Sequence, residues 1–116
     1  MARLTDLEIL TCYRNALANW RYDGFVEFFP LAADWLEKEL GEKPRDFAHR
    51  LHDFVTAGGE IDRVVETRPE WNTWSHHYDL RLTLSGRLVY VETRLKYREP
   101  TDPDDPVIFV VSIHLA

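Results

Sequence analysis

From His76 to Tyr97 the chain alternates apolar and polar residues on either side of a Ser85-Gly86 pair. Tyr78, Leu80, Leu82 and Leu84 alternate with His77, Asp79, Arg81 and Thr83. A period of two belongs to a strand with one buried face, and a two-residue Ser-Gly loop closes two such strands into an antiparallel hairpin. With that loop the register follows: Leu84 faces Arg87, Leu82 faces Val89, Leu80 faces Val91 and Tyr78 faces Thr93. One face then carries Tyr78, Leu80, Leu82, Leu84, Val89, Val91 and Leu95. A slip of one residue would expose them all, so the pattern specifies the register strongly.

The N-terminal half has a helical period. Thr5-Asp6-Leu7-Glu8 reads as a capping box in which Thr5 caps the helix and Glu8 reaches back. Leu7, Leu10, Tyr13, Leu17 and Trp20 follow at helical spacing, which predicts a helix over about 6–20. Leu31, Ala32, Trp35, Leu36 and Leu40 predict a second helix, with Pro30 in its first turn and Gly41 past its end. Phe25, Val26, Phe28 and Phe29 are expected to be buried. A third helix starts near Pro44, carries the stripe Phe47, Leu51, Phe54 and Val55, and stops at Gly58-Gly59. Residues 60–68 fit a short helix better than a strand. A last strand is expected from Val107 to His114, with Phe109, Val111 and Ile113 turned inward. The fold class is α+β: three N-terminal helices on one face of a C-terminal antiparallel sheet of three to four strands. A chain of 116 residues with 45% hydrophobic content suits a single domain spanning residues 1–116.

The single cysteine, Cys12, allows no intrachain disulfide. It suits a buried thiol in the reducing cytoplasm. No signal-peptide pattern is visible at the start, and no stretch approaches the roughly 20 apolar residues of a membrane-spanning helix.

The net charge of −6 argues against binding nucleic acid through overall charge. It does not argue against a local basic face, because Arg81, Arg87, Arg94 and Lys96 outnumber Asp79 and Glu92 within the hairpin.

The polar face of the hairpin pairs Asp79 with Glu92, Arg81 with Tyr90, and His77 with Arg94. Like charges opposite one another destabilise a sheet, so Arg81, Arg94 and His77 are required nearby. If the last strand lies alongside, Ser112 and His114 join the same face. His77, Arg81, Tyr90, Glu92, Arg94 and His114 are therefore the candidate catalytic residues. His114 or His77 would act as acid or base, Glu92 as base, and Arg81 and Arg94 as phosphate clamps. The same residues also fit a solvated face of alternating charge.

His76-His77 with Asp79 and His114, and His49 and His52 with Asp53, lack the spacing of a metal site, so neither metal nor cofactor is expected. Asp102, Asp104 and Asp105 resemble a calcium loop in charge only. Trp71 and Trp74 either stack a base or close the end of the core.

Tyr78-Asp79, Gly86-Arg87-Leu88-Val89-Tyr90-Val91-Glu92 and Val107-Ile108-Phe109-Val110-Val111-Ser112-Ile113-His114 resemble the small ribonuclease toxins of the RelE and MqsR type. The resemblance covers residues of about 60–116. It implies a helix before an antiparallel sheet whose strands carry an RNA-cleaving face, with Tyr90 and His114 near active positions. Three departures are plain: such toxins are usually basic and this chain is acidic, Glu92 stands where a basic or neutral residue would suit the pattern better, and the smallest members lack a long helical N-terminal half. Two other readings fit the pattern. One is a non-catalytic interaction module of antitoxin, immunity or assembly type, meeting a basic protein partner or forming a homodimer. The other is an NTF2-like cone enclosing a small apolar ligand.

Overall fold

The computed structural model describes residues 2–95 and 106–115. In chain order it contains β1 (Ala2–Arg3), α1 (Leu7–Ala18), β2 (Val26–Phe28), α2 (Pro30–Leu40), α3 (Pro44–Thr56), β3 (Asp62–Val65), a 3-10 turn (Pro69–Trp71), β4 (His76–Leu84), β5 (Arg87–Leu95) and β6 (Ile108–Leu115). The strands form one sheet in the order β1-β3-β4-β5-β6-β2. All neighbours are antiparallel except β2 and β6, which run parallel.

The α+β class holds, with a larger and mixed sheet. Two of its six strands, β1 and β2, come from the helical half of the chain. β2 was hidden because three residues are too few to show a period. Its Phe28 packs edge-on against Phe47 of α3, while Phe29, expected to be buried, is 36% exposed. Residues 62–65 form strand β3 rather than a helix. There Arg63 pairs with Tyr78 and Val64 with His77, so tertiary pairing with β4 overrides the local helical pattern.

The hairpin has the expected register, from Tyr78 opposite Thr93 to Leu84 opposite Arg87. Ser85 and Gly86 both have positive φ, 51° and 76°. That twist joins two right-handed strands through a two-residue loop, and Gly adopts it without steric cost. β5 is described to Leu95; the expected end of the hairpin at Tyr97, Lys96 and the acidic loop with Asp102, Asp104 and Asp105 lie outside the described residues.

β6 departs from simple alternation. Glu92 pairs with Ser112 and Thr93 with Val110, so Val111 is an extra residue in β6. This bulge reverses the inward set above it: Ile108, Val110 and Ile113 are buried, whereas Phe109 lies opposite Arg94 on the outer face. Ser112 and His114 keep the outer positions opposite Glu92 and Tyr90.

All three helices and the inner face of the sheet share one core. Tyr13, Ala16 and Leu17 of α1, Leu36 of α2, and Phe47 and Leu51 of α3 join Leu80, Val89, Val91, Ile108 and Val110 in it. Each large side chain there contributes roughly 1.5–3 kcal/mol as an upper estimate. The cap of α1 is Asp6 rather than Thr5: its carboxylate accepts from the backbone N–H groups of Glu8 and Ile9. Among the described residues, no helix is long and apolar enough to cross a membrane.

Candidate functional site

The helices cover one face of the sheet. The polar face of β4, β5 and β6 points the other way, and the segment between β3 and β4 folds over one end of it. Asp79 and Glu92 face each other across β4 and β5 as the alternation requires. Their carboxylates turn apart, and each heads a separate cluster.

Asp79 has no exposed surface. Its Oδ1 lies 2.7 Å from His77 Nδ1, and its Oδ2 accepts the Tyr90 hydroxyl. With Asp79 ionised, Nδ1 carries the proton, so a neutral His77 keeps its lone pair on Nε2. That nitrogen lies 4.0 Å from Glu66 Oε2. Burial, reinforced by the bond to Asp79, raises the Tyr90 pKa well above the ordinary phenol value. On β6 the exposed His114 stacks against Tyr90, with ring centroids 5.2 Å apart and planes 27° apart. One carboxylate therefore orients an imidazole and a phenol, and the phenol carries a second imidazole on its ring.

Glu92 belongs to the second cluster. Its Oε2 accepts from Arg68 Nη2 at 2.6 Å and from Arg94 Nη2 at 3.2 Å. Glu66 accepts from the backbone N–H of Arg68 at 2.8 Å, from Arg68 Nε at 3.0 Å and from Arg94 Nη2 at 2.6 Å. The Arg68 bonds, followed by those of Arg94, hold the Glu66 carboxyl far below the usual carboxylate range, and Glu66 in turn raises Arg68. The four charges cancel. The Arg94 guanidinium sits 4.1 Å from the Trp71 ring centroid and 5.8 Å from that of Trp74. Both indoles belong to the segment between β3 and β4, and Trp71 also contacts Phe29.

Three expectations change. Arg94 is fully buried and paired with Glu66 and Glu92, so it presents no clamp to a phosphate in solution. Glu92 Oε2 accepts from two guanidiniums, so this oxygen is already engaged within the protein. Arg81 does not relieve the Asp79–Glu92 pair; it bonds Asp62 at 3.1 Å and stays 46% exposed. A simply solvated face does not describe the arrangement either, since Asp62, Asp79, Glu92 and Arg94 are all buried.

His77, Tyr90 and His114 gather around Asp79, with Arg81 beside Tyr90 in the register. Glu66 and Arg68 were missed because residues 60–68 read as a helix. The alternation of Asp62, Val64, Glu66 and Arg68, all at even positions, was the available sign that they share a face.

Among the described residues, no group of three or more His, Cys, Asp or Glu side chains has the arrangement to hold a metal ion. Cys12 is buried in α1. Comparisons of this chain with protein-family models, with curated proteins and with solved structures gave no match.

Proposed function

We propose that the outer sheet face is a metal-independent acid–base site acting on RNA, with His77, Asp79, Tyr90 and His114 as its working groups. The observation that carries this reading is the engagement of the buried Asp79 carboxylate by both His77 and Tyr90. A fixed carboxylate–imidazole pair sets the tautomer that leaves Nε2 able to accept a proton. In the proposed step Nε2 of His77 takes the proton of a ribose 2′-hydroxyl. The 2′-oxygen then bonds to phosphorus as the bond to the 5′-oxygen breaks, and protonated His114 delivers a proton to that leaving oxygen. In this reading the half-exposed Arg81, beside Tyr90 in the register and bonded to Asp62, meets the phosphate charge.

The test is cleavage of single-stranded RNA by the purified full chain, with the products identified by mass as a 2′,3′-cyclic phosphate and a 5′-hydroxyl. His77→Ala and His114→Ala should each lower the rate by about 10²–10⁴-fold. Arg87→Ala, whose partner Glu39 lies outside the site, should leave it unchanged. Wild-type rates in both histidine variants, or no cleavage by the wild type, would remove the reading.

A second reading follows from the cancellation of charge. Arg81 with Asp62, and Arg68 and Arg94 with Glu66 and Glu92, leave little net field to attract RNA. A protein partner docked on the same face would suit that balance. In that case the chain without its partner would cleave nothing, and Tyr90→Ala would weaken the complex.

A further inference from the structure

Arg94 keeps two buried donors, Nε and Nη1, without an acceptor, even though its Nη2 serves two carboxylates. A buried N–H without a partner is costly, and native structures usually supply one. The charges around it say what kind of acceptor fits. Glu66, Arg68, Glu92 and Arg94 already sum to zero, so a further anion would bring uncompensated charge beside two carboxylates. A neutral acceptor brings none.

The surroundings favour a planar ligand. The guanidinium lies over the Trp71 ring and within 5.8 Å of the Trp74 centroid, and Phe109 of β6 sits opposite Arg94 in the register. The two indoles ride on residues 66–75, a segment closed at its base by the bond from Glu66 N–H to Ser75 C=O at 3.0 Å. Within it Trp74 N–H bonds back to Trp71 C=O at 2.9 Å. Arg94 has no exposed surface, so a ligand reaches its unsatisfied donors only as this segment moves aside. A flat ligand accepting from Arg94 in the plane of the guanidinium would lie against the same indoles.

We infer that Arg94, Trp71 and Trp74 form a binding site for one unstacked nucleobase of single-stranded RNA, with a base carbonyl accepting from Arg94 and the indoles stacking on the ring. The site rests on the RNA reading above and supplies its substrate class: single strands, whose bases are free to turn out of the stack. Arg94, which has no role in proton transfer, here holds the base. The neighbouring Glu66 links the two clusters through its 4.0 Å approach to His77.

The experiment titrates the full chain with short 2′-O-methyl oligouridines, which cannot be cleaved by their own 2′-oxygen, and follows tryptophan fluorescence. An oligomer with one central abasic position should bind about tenfold more weakly than its parent. One carrying a difluorotoluene isostere, which keeps the ring shape and removes the carbonyl acceptors, should also lose about tenfold. Trp74→Ala should weaken the parent by a similar factor. Arg94→Met should erase the difference between uracil and the isostere; if that variant does not fold, the wild-type series decides alone. Equal binding of all three oligomers overturns the inference. So does displacement of the parent by inorganic phosphate at constant ionic strength, which would assign the donors to an anion. Base-dependent binding without cleavage of ordinary RNA would support this site and remove the acid–base reading. Cleavage together with base-independent binding would do the reverse.

Discussion

The Tyr13 and Thr93 hydroxyls lie 2.8 Å apart inside the core, joining α1 to β5 across 80 residues of sequence. Thr93 donates its own hydrogen to the Tyr78 carbonyl at 2.5 Å, so Tyr13 is the donor to Thr93. The two ends of this chain are therefore unequal. Tyr13→Phe leaves Thr93 still donating and should cost about 1 kcal/mol, whereas Thr93→Val strands a phenol hydrogen in an apolar core and should cost about 1–3 kcal/mol. The double variant should lose less than the sum of the two. Urea denaturation of the four proteins checks this, and strict additivity would show that the bridge contributes nothing.

Glu66 ties acid stability to the outer-face cluster. Its side chain is 1% exposed and bonded to both Arg68 and Arg94. Its folded-state pKa is depressed below the unfolded value of 4.5. The sign follows: the ionised carboxylate stabilises the fold above about pH 4.5, and that contribution disappears as pH falls toward the folded pKa. Glu66→Gln should cost about 2–4 kcal/mol at neutral pH, because it leaves a buried guanidinium short of its partner. It should also flatten the decline of Tm between about pH 5 and pH 3. A parallel decline in the two proteins would show that other carboxylates govern acid unfolding.

Two turns give opposite stability outcomes. Ser85 has a φ of 51°, which Asn tolerates better than Ser, so Ser85→Asn should stabilise the hairpin by a few tenths of a kcal/mol. Gly59 follows α3, and a Cβ there would stand 2.4 Å from the Phe54 ring. Gly59→Ala should therefore destabilise by about 1–3 kcal/mol, and Phe54→Leu should reduce that penalty. Thermal melts of these variants measure both effects. An equal cost of Gly59→Ala with and without Phe54 would place the strain elsewhere.

What the sequence revealed of this molecule depended on how local each signal was. β4 and β5 have nine residues each around a Ser-Gly turn, so period, loop and register all agree. β3 has four residues, and its strand conformation is imposed by pairing with His76 to Asp79 rather than by its own pattern. The Val111 bulge is a property of the β5–β6 pair and leaves no trace in β6 alone, which is why Phe109 was expected on the wrong face. Half of the site was legible for the same reason: Asp79, His77 and Tyr90 lie on the hairpin. Glu66 and Arg68 arrive from β3 and the turn after it. Without them Arg94 looked like a free cation rather than the centre of a closed cluster.

Two phenols with raised pKa, Tyr13 and Tyr90, offer a readout that needs no substrate. Tyr13 is raised mainly by burial, and Tyr90 by burial together with its bond to Asp79. Both should stay protonated through the range near pH 10 where an exposed tyrosine ionises. In an absorbance titration at 295 nm, the native protein at pH 11 should fall short of the unfolded signal by at least two of its five tyrosines. The stability consequence has the sign of a raised pKa: the contribution is intact below about pH 10 and is lost as pH rises toward the folded value. Tyr90→Phe removes one of these groups. It should shrink the missing absorbance by one tyrosine and soften the alkaline loss of Tm, with the Tyr13 phenol still protonated at that pH. If Tyr90→Phe instead left the missing absorbance unchanged, the Tyr90 hydroxyl would be titrating freely in the folded protein. The Asp79 carboxylate would then be held by His77 alone.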